Sequence, residues 1–184
     1  MSIFDNLSFG GSNPVQPQQP AMGEQTFTFD ALPESLAEMK ALPEASLKTP
    51  FQAAALTVCA LCAYAAVPQI GLEMLNFLKG PQPLSTMQTQ FLRDRFMDGK
   101  HIPFSYFKGA VPSNNYTPNK PFTVTVKTNP YSYNTEGYAM LYIHSGGADS
   151  DRSVQLRRKG DQWFLWEQHL MVGIRTPAAL DPWA

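Results

Sequence analysis

Thr49-Pro50-Phe51-Gln52-Ala53-Ala54-Ala55-Leu56-Thr57-Val58-Cys59-Ala60-Leu61-Cys62-Ala63-Tyr64-Ala65-Ala66-Val67 is the stretch on which the fold turns. Thr49 followed by Pro50 predicts an N-cap with proline at the first helical position. From Phe51 to Val67 only Gln52 and Thr57 interrupt the apolar residues, so the helix has no solvent face and belongs in the middle of a core. The run is shorter than the roughly 20 residues a membrane span needs, and its commonest residue is alanine, whose transfer gain is small. No membrane role is expected.

Upstream, Phe27 to Lys48 predicts a short strand or extended segment, then a helix opened by Pro33 and closed before Pro43, with Leu32, Leu36, Met39 and Leu42 on one face. Downstream, Pro68 starts a helix through Leu72, Leu75 and Leu78 that stops at Gly80-Pro81. Ser85 caps a further helix whose inner face is expected to be Met87, Phe91, Leu92 and Phe96, ended by Gly99. Residues 101 to 121 predict a long ordered loop, with Ile102, Phe104, Tyr106, Phe107 and Val111 to bury.

Beyond Pro121 the hydrophobic period changes from helical to two. Phe122, Val124 and Val126 alternate with Thr123, Thr125 and Lys127, the pattern of a half-buried antiparallel strand. Strands are predicted again over Tyr138 to His144, Ser153 to Lys159 and Trp163 to Gln168, the last two joined by a tight hairpin at Lys159-Gly160-Asp161-Gln162. Leu170, Val172 and Ile174 alternate as a continuation or a fifth strand. The fold class is therefore α+β, with three to four N-terminal helices packed on a C-terminal antiparallel sheet of four to six strands.

The 184 residues divide into a leader over 1–25 and one α+β domain over 26–184. Residues 10 to 25 hold three prolines, three glycines and four glutamines with almost nothing to bury, so they predict a linker. Ahead of them Ile3, Phe4, Leu7 and Phe9 form a small apolar cluster, either an interaction peptide over residues 3–9 or an untidy terminus. The N-terminus has no secretory signal pattern, and Cys59 and Cys62 lie inside the apolar helix, so a cytoplasmic location is expected. Residues 1–90 carry three Lys/Arg against seven Asp/Glu, and residues 91–184 carry eleven against eight, so the halves are −4 and +3. Neither approaches the basic excess of a phosphate-backbone binder, and nucleic acid is not an expected partner.

Chemistry-bearing constellations are few. Cys59 and Cys62 have redox spacing but sit mid-helix with no cation nearby to lower a thiol pKa, and no second pair completes a metal site. Ser145-Gly146-Gly147-Ala148-Asp149-Ser150-Asp151-Arg152 is the most suggestive segment. Its glycines allow backbone N–H groups to converge, and His144, Asp149 and Asp151 have the chemistry of cation ligands. An ordinary surface turn has the same composition. His144 and His169 both fall at strand ends. Arg157, Arg158 and Lys159 with Arg152 and Arg175 make a basic face or a merely solvated one, beside Tyr131, Tyr133, Tyr138 and Tyr142. Trp163, Phe164, Leu165 and Trp166 in succession mean that both strand faces are covered or that one aromatic is displayed for binding. Trp183 is expected to tuck back onto the domain. The candidate ligand-binding residues are His144, Asp149, Asp151, Arg152 and Trp166; no catalytic residue, metal or cofactor is expected.

The segments Gly80-Pro-Gln-Pro-Leu-Ser85, Ser105-Tyr-Phe-Lys-Gly-Ala-Val-Pro-Ser-Asn-Asn-Tyr116, Ser145 to Arg152, Gln162 to Gln168 and Ile174 to Ala184 resemble an uncharacterised bacterial domain family of unknown function, over about residues 27–184. That resemblance implies a single domain and carries no activity, ligand or catalytic residue. The order of helices, then a curved sheet with a basic strand, a Gly hairpin and a Trp strand, is also similar to cone-shaped nuclear-transport-factor-2-like domains. Two functions follow as expectations. The first is a non-enzymatic binding or interaction module, acting through residues 3–9 or an exposed aromatic surface. The alternative is a small-ligand pocket between helices and sheet, with a catalytic variant open, and the loop after His144 at its mouth.

Overall fold

The structure, a computed structural model, describes residues 21–184. The apolar cluster Ile3, Phe4, Leu7 and Phe9 and residues 10–20 of the linker read over 10–25 lie outside the described residues. Elements run in the order β1 (Glu24–Phe29), α1 (Leu36–Ala41), α2 (Pro50–Ala66), α3 (Pro68–Lys79), α4 (Thr86–Asp98), β2 (Phe122–Lys127), β3 (Tyr138–Ile143), β4 (Arg152–Lys159) and β5 (Gln162–Gln168). The strands form one antiparallel sheet in the order β1-β2-β3-β4-β5, so the architecture of the described residues is α+β with four α-helices and five strands.

Helix α2 is the keel. Thr49 accepts from the Gln52 backbone while the Gln52 side chain accepts from the Thr49 backbone, a complete capping box. Phe51, the residues from Ala53 to Cys62, and Tyr64 are all buried. The helix lies against β2, β3, β4 and β5, whose inward residues Val124, Val126, Leu141, Ile143, Val154, Leu156 and Leu165 alternate with outward ones. Cys59 and Cys62 are core residues, and burial pushes both thiols well above the usual range. Among the described residues no helix is long and apolar enough to cross a membrane.

Four expectations need correction. Leu170 to Ile174 neither continues β5 nor forms a strand; the fifth strand is the short one expected at Phe27, where β1 pairs with β2 from Glu24↔Lys127 to Phe29↔Phe122 and begins inside the stretch read as leader. After Gln168 the chain bends away. The Leu170 N–H goes to the Gln168 side chain, Gly173 takes φ +67°, and the Arg152 guanidinium claims the carbonyls of Val172 and Gly173. Helix α1 is opened by Ser35, whose hydroxyl accepts from the Glu38 N–H, and not by Pro33. Of the inner face predicted for α4, Leu92 and Phe96 are buried, but Met87 is 82% exposed and Phe91 37%. Trp183 is 92% exposed and does not fold back onto the domain.

Candidate functional site

The loop after β3 is held by its own chain. Ser145 and Ser105 share a buried hydroxyl–hydroxyl bond of 2.7 Å, the Gly146 N–H donates to the Ser105 carbonyl, and the Gly147 N–H donates to the Ser145 hydroxyl. Both glycine N–H groups are therefore spent internally. Gly146 is needed for closeness, since a Cβ there would lie 1.9 Å from the Ala110 carbonyl oxygen. Asp149 pairs with Arg175 at 2.9 Å, and Asp151 bridges Lys127 at 2.9 Å and His144 at 3.4 Å. Arg152 donates to the carbonyls of Ser150, Val172 and Gly173 and to the Ser150 hydroxyl. His169 sits apart, 3.0 Å from the Ser153 hydroxyl. Among the described residues no group of three or more His, Cys, Asp and Glu side chains is placed to hold a metal.

Trp166 is placed differently. In β5, Trp163 and Leu165 turn inward to the core, while Phe164 and Trp166 turn outward. A register shift opposite Gln155/Leu156 leaves Trp166 without a direct partner across the ladder. On that outer face the Arg157 guanidinium lies 4.7 Å from the Trp166 ring and 5.5 Å from the Tyr138 ring, and Tyr138 meets Trp166 edge-on at 5.8 Å. The turn between α3 and α4 wraps the β5 edge; Gly80, with φ +66°, lets the chain pass so close to Phe164 that a Cβ would sit 2.5 Å from its ring.

Lys79, the last residue of α3, reaches through this wrap. It is only 7% exposed, its ammonium lies 5.7 Å from the Trp166 ring, and its one hydrogen-bond acceptor among the described residues is the Trp166 carbonyl at 3.0 Å. Among the described residues no carboxylate is within ion-pair reach of it, and the pairs formed involve Lys48, Lys127, His144 and Arg175. Burial lowers the Lys79 pKa, and the Glu167 charge offsets this in part. Two cavities open on either side of its side chain. One, of about 260 Å³, is a largely apolar groove between α4 and β5 lined by Leu84, Met87, Phe91 and Leu92 together with Glu167 and His169. The other, of about 370 Å³, is edged by Arg157, Arg158, Lys159, Phe164 and Trp166. The result is a cleft with a cationic half and an apolar half, joined by one indole and one buried ammonium.

The Lys79 environment has a pH signature. Between its lowered folded-state pKa and the ordinary value near 10.5, the unfolded chain holds the proton that the folded chain has released, so stability rises with pH across that window. Below the window the penalty is complete and constant. Urea denaturation of the native chain and of Lys79→Met at stepped pH isolates the effect: the native protein should gain on the variant as pH climbs toward 10.5, and parallel curves would show that Lys79 is not desolvated.

Of the candidate residues read from sequence, only Trp166 lies in this cleft. Lys79 escaped notice because a lysine at a helix C-terminus just before glycine is also what the helix dipole favours on a bare surface. Arg157 was legible as part of a basic face; its stacking on Trp166 depends on the β5 bulge, which has no sequence signature.

Helices packed on an open five-stranded antiparallel meander, with a cationic and aromatic cleft at the β5 edge, define an α+β domain. The chain belongs to the family described as Domain of unknown function (DUF6935), which it matches over residues 31–178. No curated protein matches it, and no solved structure does. The similarity to nuclear-transport-factor-2-like domains therefore carries no argument.

Proposed function

We propose that this domain is a non-enzymatic binding module that takes an acidic segment of a partner protein in the cleft formed by Lys79, Arg157 and Trp166. The observation that carries this reading is the buried Lys79 ammonium, which among the described residues has one carbonyl acceptor, no ion-paired carboxylate and a cavity on either side. A desolvated cation costs several kcal/mol unless paired. A carboxylate brought into the cleft supplies the missing pair, and Arg157, Arg158 and Lys159 raise the local concentration of such ligands. An apolar side chain next to the acid fits the groove where Met87 and Phe91 are exposed, which favours an extended segment over a compact metabolite. The pocket expected at the mouth of the loop after His144 draws no support from the cavities described here, none of which is lined by residues 144–152. The free buried thiols suit a reducing compartment, and we place the module in the cytoplasm.

A fluorescein-labelled peptide of alternating aspartate and leucine, titrated beside a counterpart with lysine for aspartate, tests this. The acidic peptide should bind at least about tenfold tighter, a difference of about 1.4 kcal/mol. Trp166→Ala should weaken it by about thirtyfold and Arg157→Glu by at least about tenfold, as expected for aromatic and arginine anchors, while Arg175→Glu, remote from the cleft, should change little. Equal binding of both peptides, or binding untouched by the two cleft substitutions, refutes the proposal.

A further inference from the structure

Helices α2 and α3 are separated by a single residue. Val67 takes φ −141° and ψ 101°, and Pro68, which lacks the N–H that would continue α2, starts the next helix in a new direction. At this corner α2 presents Ala63 and Ala66, side chains too short to reach across to the β1–α1 connection and the start of β2. A cavity of about 640 Å³ is left there, the size of a small-molecule site, walled by Leu32, Ala63, Val67, Ile70, Phe104 and Phe122. Val67 is 47% exposed, so apolar surface stands open to water at its edge. The cavity shares no lining residue with the Lys79 cleft.

Three charged side chains also line it: Asp30 and Glu34 from the β1–α1 connection, and Lys120 just ahead of β2. None of the three joins an ion pair formed among the described residues. The Lys120 ammonium instead lies over the Phe122 ring, 5.8 Å from its centroid. The negative end of α2 and the positive end of α3 meet at Val67 and offset one another, so the side chains set the sign of the charge at the mouth. Two carboxylates against one ammonium make it negative. A ligand there gains most by carrying a positive charge on an otherwise apolar body.

We propose that this cavity binds a small apolar amine, its hydrocarbon body against Leu32, Ala63, Ile70 and Phe104 and its ammonium beside Asp30 and Glu34. Burial of the body supplies the affinity, and the two carboxylates select the head group.

The test uses the full chain with its isoleucine δ1 methyl groups labelled with carbon-13, titrated with phenylbutylamine and, separately, with phenylbutyrate, which share one body and differ in the sign of the head. The Ile70 methyl resonance should move with the amine, and the Ile143 methyl, fully buried in β3, should stay. The amine should bind at least about tenfold tighter than the acid. Asp30→Asn combined with Glu34→Gln, at two exposed positions, should bring the two ligands to within about threefold of each other. Ala63→Leu, which fills the wall, should weaken both by at least about tenfold. An Ile70 methyl that does not move overturns the proposal, and so does an equal displacement of both methyls. Phenylbutyrate binding as tightly as the amine, or tighter, overturns it by making Lys120 the partner of the head group. An amine preference that survives loss of both carboxylates, or binding untouched by Ala63→Leu, overturns it as well. Acidic-peptide binding is not read in this experiment, so the two proposals fail separately.

Discussion

Gly71→Ala should destabilise the protein by at least about 3 kcal/mol, although alanine is the better helix former by about 1 kcal/mol. The reason is the crossing of α2 and α3. A Cβ on Gly71 would lie 2.3 Å from both Cα and Cβ of Tyr64 and 2.5 Å from its backbone nitrogen. Those atoms belong to the buried keel, so they cannot swing aside as the end of a flexible side chain does. Helix α3 must instead move out by more than an ångström, drawing Met74, Leu75 and Leu78 from the core and disturbing the Tyr64–Phe96 ring contact at 4.4 Å. Urea denaturation followed by circular dichroism measures the loss. A cost under about 1 kcal/mol would mean that the two helices are not in backbone contact at this point.

That contact also shows where sequence reading stops. The keel was legible because Thr49-Pro50 announces a start and almost every residue after it is apolar, a pattern that only full burial explains. The meander was legible from two-residue alternation at Phe122, Val124 and Val126. Gly71, by contrast, looks like an ordinary weak spot in a helix until Tyr64 is seen beside it. Met87 and Phe91 share a helical face with Leu92 by spacing alone, but only the course of the α3–α4 turn decides which of them meets the sheet. The alternation at Leu170, Val172 and Ile174 read as a strand, and three-dimensional competition undid it: the Arg152 side chain takes the carbonyls a neighbouring strand would need. For the same reason the site was only partly visible. Trp166 stood out as one aromatic too many for a one-sided strand, whereas Lys79 owes its meaning to a wrapped turn that places an ammonium beneath an indole.

Phe51→Ala should cost about 4 kcal/mol, a large share of the 5–15 kcal/mol that holds a domain of ordinary stability. Phe51 is completely buried one residue after the start of α2, and nearby the Leu47 carbonyl accepts from the Trp163 N–H, tying the approach to the helix onto β5. Removing the ring leaves a void that the capped, alanine-walled helix cannot collapse to fill. Trp166→Ala should behave in the opposite way. Its ring faces outward, and its attractions to Arg157 and Lys79 are worth roughly 0.5–1 kcal/mol each at a partly exposed site, so the fold should lose under about 2 kcal/mol. Acidic-peptide affinity should show the reverse order, intact per folded molecule in Phe51→Ala and lost in Trp166→Ala. If Trp166→Ala unfolds the protein as readily as Phe51→Ala, the indole is a pillar of the core and the cleft loses its anchor. If Phe51→Ala is well tolerated, α2 is not the centre on which the sheet rests.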